Sequence, residues 1–210
     1  MKSRADAAVE RALHARQREA AEDVERILAA AVEVMERAAP AEPRVSDIVI
    51  EAGVSNKAFY RYFGGKDDLI LAVMERGIGI VRSYLEHQMA KEEDPAGKVA
   101  WWIRGSLAQL SDARLARVSR AVAAQLVATA DVRVADEEIT RPLRDLLLDP
   151  VVELGSTDPR RDADAVFAAV FGTMRRLQAL DVRPGHDDAE HLVGFCLNAL
   201  GAGAGRRSDR

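Results

Sequence analysis

RVSDIVIEAGVSNKAFYRYFGGK, residues 44–66, contains two short helical patterns joined by a tight turn. The first pattern places four apolar residues on one helix face: Val45, Ile48, Val49 and Ala52. Gly53 stands where this helix must end, because glycine enters the left-handed conformation of a helix C-terminus without a steric penalty. Ser55 then offers a hydroxyl that can cap the free amides of a second helix. The stretch predicts a helix-turn-helix, whose second helix enters the major groove of DNA.

The second helix of this motif has a packing side and an outward side. The packing side is expected to carry Phe59, Tyr62 and Phe63, and the outward side Asn56, Lys57, Tyr60 and Arg61. No acidic residue lies between Glu51 and Asp67, a region that contains Lys57, Arg61 and Lys66. Cations and phenols on one surface suit phosphate binding. The alternative is a helical hairpin with a solvated basic face.

The longer run DIVIEAGVSNKAFYRYFGGKDDLILAV, residues 47–73, resembles the DNA-binding domain of the TetR-type bacterial transcriptional regulators. The matching features are an alanine-rich first helix, the AGVS turn, an aromatic recognition helix ending in YF, and a lysine after a short loop. The detailed resemblance covers roughly residues 22–75, and beyond it only length and helical layout match. Two departures stand out: Arg44 and Val45 replace a common threonine, and Asn56-Lys57 replaces a common small residue.

The resemblance implies a set of DNA contacts on the motif. The implied residues are Arg44, Val45, Ser46, Ser55, Asn56, Lys57, Ala58, Tyr60, Arg61, Tyr62 and Lys66. We expect Asn56 and Lys57 to read base edges. The phosphate contacts are assigned to Tyr60, Arg61, Tyr62 and Lys66. Lys66 also begins the next helix, where free amides and the helix dipole favour an anion.

Composition and charge set wider limits. The chain has 210 residues, 48% of them apolar, and a formal net charge of −4. Residues 1–66 carry 11 basic and 11 acidic side chains, so a DNA-binding role rests on local clustering of the cations. No run approaches the ~20 apolar residues of a membrane span, and the polar N-terminus lacks the core of a signal peptide. The single cysteine, Cys196, fits a reducing cytoplasm.

The periodicity predicts an all-α chain, and the resemblance implies its division into four segments. These are an N-terminal arm at 1–21, the DNA-binding domain at 22–66, a ligand-binding and dimerisation domain at 67–203, and a disordered tail at 204–210. The arm could extend the first helix or be flexible, and its arginines could reach a minor groove or simply be solvated. Later helices are expected at about 67–90, from Pro95, and at about 114–130, 133–154, 162–180 and 187–202. Pro142 and Pro150 predict kinks or breaks.

The resemblance implies that the second domain holds an effector, and pockets do form between the helices of such bundles. The residues placed nearest such a cavity are Met74, Tyr84, Trp101, Trp102, Gln125, Phe167, Phe171 and Met174. For each of these residues taken singly, the alternative is a place in the ordinary core. The two final helices combine small and large apolar residues and are expected to pair across a twofold axis. The expected interface residues are Ala165, Ala168, Ala169, Gly172, Leu192, Phe195, Cys196 and Ala199.

Catalysis and cofactor binding find no support in the sequence. Cys196 lacks a recognisable base arrangement, and a lone cysteine on an apolar helix face is usually a small core residue. The histidines of HDDAEH, residues 186–191, are five positions apart, which separates them around a helix. We therefore predict no catalytic residue, metal or cofactor, and expect three partners: operator DNA, a second copy and a small effector. The alternatives are an interaction module without DNA binding, and a small-molecule carrier or enzyme on a helical bundle.

Overall fold

The computed structural model describes residues 3–38, 41, 43–111 and 132–201. Nine helices and no strand lie within these ranges, which confirms the all-α prediction. In chain order they are α1 (Arg4–Ala38), α2 (Val45–Ala52), α3 (Asn56–Tyr62), α4 (Lys66–Met89), α5 (Pro95–Ala108), α6 (Val132–Asp145), α7 (Leu148–Glu153), α8 (Pro159–Ala179) and α9 (His186–Ala199). The described residues up to Met74 form one compact unit, and those from Glu75 onward form a second.

The first unit packs α1, α2, α3 and the start of α4 around a small core. The second half of α1 contributes a buried stripe: Ile27, Leu28, Ala30, Ala31, Val34 and Met35. Phe59 of α3 is fully buried, and its ring lies 5.7 Å from that of Phe63. Arg37 of α1 and Glu51 of α2 form an ion pair of 2.8 Å at the surface. This core fixes the direction in which the opposite side of α3 points.

The first half of α1 is helical from its first turn. Ser3 and Asp6 cap it reciprocally: the Asp6 amide donates to Ser3 Oγ and the Ser3 amide to Asp6 Oδ2, each at 3.1 Å. Residues 4–21 thus form the beginning of α1. Of the two alternatives for the arm, the structure has the extension of the first helix. Every side chain from Arg4 to Glu19 is exposed except the half-buried Ala7.

The core of the second unit is built around Trp102 on α5. Trp102 is fully buried, and its indole N–H donates to the carbonyl oxygen of Leu143 at 2.9 Å. Gly105, one turn later, lies so close to α4 that a Cβ atom there would stand 2.5 Å from Leu85 Cδ2. Helices α7, α8 and α9 also contribute to this core. A larger residue at position 105 would therefore force the Leu85 side chain to shift.

Some expectations along the chain need correction. Pro142 lies inside α6, and the break falls at residues 146–147 instead, before α7, which contains Pro150. Pro142 lacks the N–H of one α6 hydrogen bond, and α6 ends three residues later at Asp145, whereas Pro150 stands in the first turn of α7, where an N–H has no intrahelical partner. The expected helix at 114–130, the effector residue Gln125 and the tail at 204–210 lie outside the described residues. Within the described part, no helix is long and apolar enough to cross a membrane.

Candidate functional site

The turn between α2 and α3 has the geometry that the AGVS sequence predicts. Gly53 adopts φ 64° and ψ 31°, the left-handed conformation, and its amide donates to the Ile50 carbonyl. Ser55 Oγ accepts a hydrogen bond of 3.1 Å from the Ala58 amide, which caps the start of α3. Both local predictions are confirmed. The turn sets the angle at which α3 leaves α2.

The outer side of α3 carries the polar residues expected there. The exposed residues of α3 are Asn56, Lys57, Tyr60 and Arg61, whereas Phe59, which adjoins Tyr60 in the chain, is fully buried. Tyr60 stands edge-on against Phe59 with ring centroids 5.1 Å apart, so its ring is held while 61% of the residue remains exposed. The result is a short helix face with an amide, two cations and a phenol.

Two residues predicted to contact DNA do not lie on this exposed face, and for Tyr62 this agrees with its expected place on the packing side of the helix. Ala58 is buried, and its amide is used by the Ser55 cap, so we no longer retain it as a DNA contact. Tyr62 is half-buried, and its hydroxyl donates to Asp23 Oδ2 of α1 at 3.1 Å. Burial and this hydrogen bond raise the pKa of Tyr62. The hydroxyl thus has a partner within the protein. The phosphate contact expected of Tyr62 stays a prediction.

The Tyr62 contact belongs to a small network. Asp23 also pairs with Arg26 on the same helix, and the Arg61 guanidinium lies 5.0 Å from the centre of the Tyr62 ring. Tyr62 and Asp23 are 39 positions apart, so no local pattern in the sequence signals their contact. Asp23 is the residue of this site that sequence reasoning missed.

The remaining predicted DNA contacts lie at the first turns of α2 and α4. Arg44 occupies the N-cap of α2 and is exposed, as is Ser46, while Val45 is half-buried. At the other end, the Gly64 amide donates to Asp68 Oδ2 at 2.7 Å and closes the loop before α4. Lys66 is the first residue of α4 and is half-buried. Helix N-termini present free amides that favour anions.

A buried three-helix core, a left-handed glycine turn and an outward polar helix define a helix-turn-helix DNA-binding domain. Residues 27–73 match the model of the family described as bacterial regulatory proteins, tetR family. The N-terminal domain is therefore of the TetR type, and the resemblance seen in the sequence is confirmed. No curated protein sequence matches the chain significantly.

Solved structures with the same fold cover most of the chain. It is similar to the transcriptional regulator FadR from Bacillus subtilis in complex with stearoyl-CoA, with 23% identity, a TM-score of 0.65 and coverage of 84% of this chain and 96% of that one. A putative TetR-family regulator from Mesorhizobium loti has 18% identity and a TM-score of 0.68 over 87% and 96%. RolR in complex with resorcinol has 16% identity and a TM-score of 0.64 over 88% and 90%. At these identities the likeness establishes the fold.

An aromatic cluster occupies the second unit where the effector residues were expected. The rings of Phe167 and Phe171 stack with centroids 4.1 Å apart, and Phe167 lies 6.1 Å from Trp102. Trp101 is half-buried, and its indole N–H donates to Glu92 Oε1 at 2.7 Å. These rings and the half-buried Met174 pack against the main core. The structure thus brings five of the predicted residues into one apolar region.

The other predicted effector residues are placed differently. Tyr84 on α4 is 41% exposed. Met74 is half-buried and is the last residue of α4 that belongs to the first unit. Ser106, which was not predicted, is 2% exposed, and its Oγ has no hydrogen-bond partner in the described part of the chain. A buried hydroxyl without a partner is uncommon and could serve a polar group of a ligand.

A two-point ion pair connects α5 to α9 in the same unit. Arg104 Nε and Nη2 donate to the two carboxylate oxygens of Glu190 at 2.6 and 2.7 Å. Hydrogen bonding from Arg104 lowers the pKa of Glu190. Glu190 belongs to the HDDAEH run, and no group of three potential metal ligands occurs among the residues described. Its partner lies 86 positions away, which sequence reasoning did not foresee.

The predicted interface residues of α8 and α9 fall on two sides of their helices. Ala165, Ala168, Gly172, Phe195 and Ala199 are exposed, Ala169 is half-buried, and Phe195 is 61% exposed. Leu192 and Cys196 are buried in the core of their own unit, and burial raises the pKa of the Cys196 thiol. Both side chains are therefore core residues, and only the small residues and Phe195 present a face that another molecule can cover.

Proposed function

We propose that the chain is a homodimeric transcriptional repressor that acts in the cytoplasm and leaves its operator when a small apolar ligand binds. The observation that carries this proposal is the outer face of α3. Asn56, Lys57, Tyr60 and Arg61 are exposed together on a helix-turn-helix of the TetR type. A solvated hairpin would not require an amide, two cations and a phenol to cluster on one helix face.

Each exposed side chain has a chemical role in this proposal. Lys57 donates to acceptor atoms of a guanine, and Asn56 forms a two-point contact with an adenine, as such side chains do in the major groove. Tyr60, Arg61 and Lys66 hold phosphates and fix the register of the helix. Arg44 and Ser46 contribute further phosphate contacts from the start of α2.

The effector is proposed to bind at the aromatic cluster of the second unit. The half-buried Phe167 and Phe171 offer an apolar surface in front of the fully buried Trp102, and we propose that the buried Ser106 hydroxyl supplies a polar contact. The FadR structure contains stearoyl-CoA and the RolR structure resorcinol, so similar folds accept both a long acyl chain and a phenol. These two compounds are the first probes for this chain.

Dimerisation is proposed through the exposed face of α8 and α9. Small residues on this face allow close approach of a second copy, and Phe195 supplies an apolar anchor at its centre. Two copies related by a twofold axis would present their α3 helices to half-sites about 34–36 Å apart. A palindromic operator follows from that symmetry.

Control is proposed to run along α4, which supplies residues to both units. A ligand shifts an equilibrium only if it prefers one state, and couplings of about 1–3 kcal/mol lower affinity 5- to 150-fold. By reciprocity, operator DNA must weaken ligand binding by the same factor. Gly77 and Gly79 are the places in α4 where bending costs least.

The test has two stages. Duplexes selected from a random library are titrated with the full chain at several salt concentrations, and binding must weaken steeply as salt rises. Stearoyl-CoA and resorcinol are then each titrated with and without the selected duplex. A compound that binds equally in both titrations is not an effector, and absence of salt-dependent DNA binding contradicts the proposal as a whole.

A further inference from the structure

The first half of α1 has an apolar stripe that nothing in its own unit covers. Val9 is 60% exposed and Leu13 is 55% exposed, one turn apart on the same side of the helix. All side chains around them are exposed as well, apart from the half-buried Ala7. Most helices of globular proteins gain their stability by packing an apolar face, and this half of α1 packs against nothing in its own unit. The stripe therefore favours a partner.

The charges beside the stripe are arranged symmetrically. Asp6, Val9, Leu13 and Arg16 follow one another at spacings of three, four and three residues, the heptad spacing of a coiled-coil seam. Arg11 is the midpoint: Val9 and Leu13 lie two residues from it, and Asp6 and Arg16 lie five residues from it. The seam thus has an acidic end, an apolar centre and a basic end.

We propose that this seam, residues 6–16, pairs in antiparallel orientation with the same seam of a second copy of the chain. About a twofold axis at Arg11, Val9 of each copy meets Leu13 of the other, and Asp6 of each copy meets Arg16 of the other. Two apolar layers form the centre and an opposite-charge layer closes each end. A parallel arrangement would instead place Asp6 on Asp6 and Arg16 on Arg16, so charge selects the antiparallel one.

The pairing is short and therefore weak by itself. Its four layers bury much less than the ~1,200 Å² of a stable interface. Linking it to another interaction of the same molecules raises its effective concentration. Glu10 flanks the seam, so the Glu10 side chains of the two copies come near each other. Their like charges weaken the pairing further. The contacts of the seam itself involve neither DNA nor the α8–α9 face, so the seam can be tested without either.

The test uses cysteines at the two apolar positions of the otherwise unchanged full chain. Val9→Cys and Leu13→Cys chains are mixed without DNA under mild oxidation, and formation of the mixed disulfide is followed. We expect the mixture to cross-link faster than either variant alone, because only positions 9 and 13 lie at the same level. Ala15→Cys, on the far side of α1, is the matched control, and the wild-type chain measures any contribution of the buried Cys196.

Charge reversal then tests the orientation. Asp6→Arg or Arg16→Asp, placed in both cysteine variants, puts like charges together at both ends and is expected to slow cross-linking about tenfold. The double change Asp6→Arg with Arg16→Asp restores opposite charges and returns the rate to within about twofold of the original. Arg18→Asp changes the same charge on the far side and is expected to have no such effect. Asp6→Arg also removes a capping group, but the double variant shares that loss.

Three results would overturn the proposal. Val9→Cys alone could cross-link as fast as the mixture, which would mean a different register. The double charge reversal could stay as slow as the single reversals. The third result is that no variant cross-links faster than Ala15→Cys. If Arg16→Asp then also weakened DNA binding, the arm would be assigned to DNA.

Discussion

Tyr62, the last residue of the recognition helix, donates a hydrogen bond from its hydroxyl to Asp23 Oδ2 on α1 across 3.1 Å. The contact fixes the C-terminal end of α3 to the helix that carries most of the small core. It also removes the Tyr62 hydroxyl from the set of free phosphate donors. The two roles predict different outcomes for the same substitutions.

Tyr62→Phe and Asp23→Asn are both expected to lower the thermal unfolding midpoint, with less than additive effects when combined, because each removes the same hydrogen bond. The salt dependence of DNA binding is expected to stay unchanged in Tyr62→Phe. Calorimetry and titrations at several salt concentrations measure the two quantities. A loss of about one unit in the salt slope would show that the hydroxyl binds a phosphate instead.

Lys57 and Lys66 are expected to differ in what they contribute to DNA binding. Lys57→Ala should cost about 1–3 kcal/mol at one base position and little on other sequences, because the side chain reads a base edge. Lys66→Ala should weaken all duplexes alike and lower the salt slope by about one. Anisotropy titrations on matched and mismatched duplexes separate the two. Uniform weakening by Lys57→Ala would contradict the base-reading role.

If two copies pair through the proposed α8–α9 face, Phe195→Glu is expected to leave a monomer, because a carboxylate replaces the apolar anchor and would be buried without a partner. Val152→Glu is the matched control, since Val152 is similarly exposed at 56% but lies on α7. Sedimentation velocity of the two variants compares their masses. An unchanged dimer for Phe195→Glu would rule out this face.

Gly105→Ala is expected to destabilise the second unit by about 1–3 kcal/mol through overpacking, because the new Cβ would stand 2.5 Å from Leu85 Cδ2 and the fully buried Leu85 side chain would have to shift. Gly79→Ala is the control: its Cβ would meet nothing within 4 Å, so helix propensity should stabilise the chain by up to ~1 kcal/mol. Urea unfolding measures both. Equal stability of Gly105→Ala and the wild type would mean that α4 and α5 can separate without cost.

The Arg104–Glu190 pair is expected to make stability depend on pH at the acidic side. Since Arg104 lowers the pKa of Glu190 below 4.5 in the folded chain, the pair stabilises above about pH 4.5 and loses its effect as pH falls through the lowered pKa. Glu190→Gln should therefore be less stable than the wild type at pH 7 but not at low pH. Unfolding in urea from pH 7 to pH 3 measures the difference. Arg104→Lys keeps the charge but not the two-point contact, and should lie between them.

Local features of the fold could be predicted because they depend on residues close in sequence. The left-handed Gly53, the Ser55 cap and the start of α5 at Pro95 each involve partners within about four positions. The start of α1 also depends on residues close in sequence, since Ser3 and Asp6 cap it. Residues 4–21 contain few large apolar side chains, so their helical periodicity is weaker than that of the stripe farther along α1. Helical periodicity gave the remaining elements in outline.

The division of α9 between core and surface could not be predicted in the same way. Leu192, Phe195 and Cys196 are all apolar and close together, yet Phe195 is exposed while the other two are buried. A period of 3.6 residues defines a stripe, but the width of the buried part depends on which helices pack against it. The same holds for Ala58, which is buried although Asn56 and Lys57 just before it on α3 are exposed.

By itself, the sequence determined the helical class, the helix-turn-helix and the type of regulator that it resembles, because turns, caps and periodicity are encoded within one or two helical turns. Tertiary structure alone decided the contacts between distant positions: Tyr62 with Asp23, Trp102 with Leu143, and Arg104 with Glu190. These contacts join residues 39 to 86 positions apart, and they exist only once the apolar stripes have packed and brought the helices together. The packing of those stripes thus fixes which polar groups meet and which remain on the surface to bind.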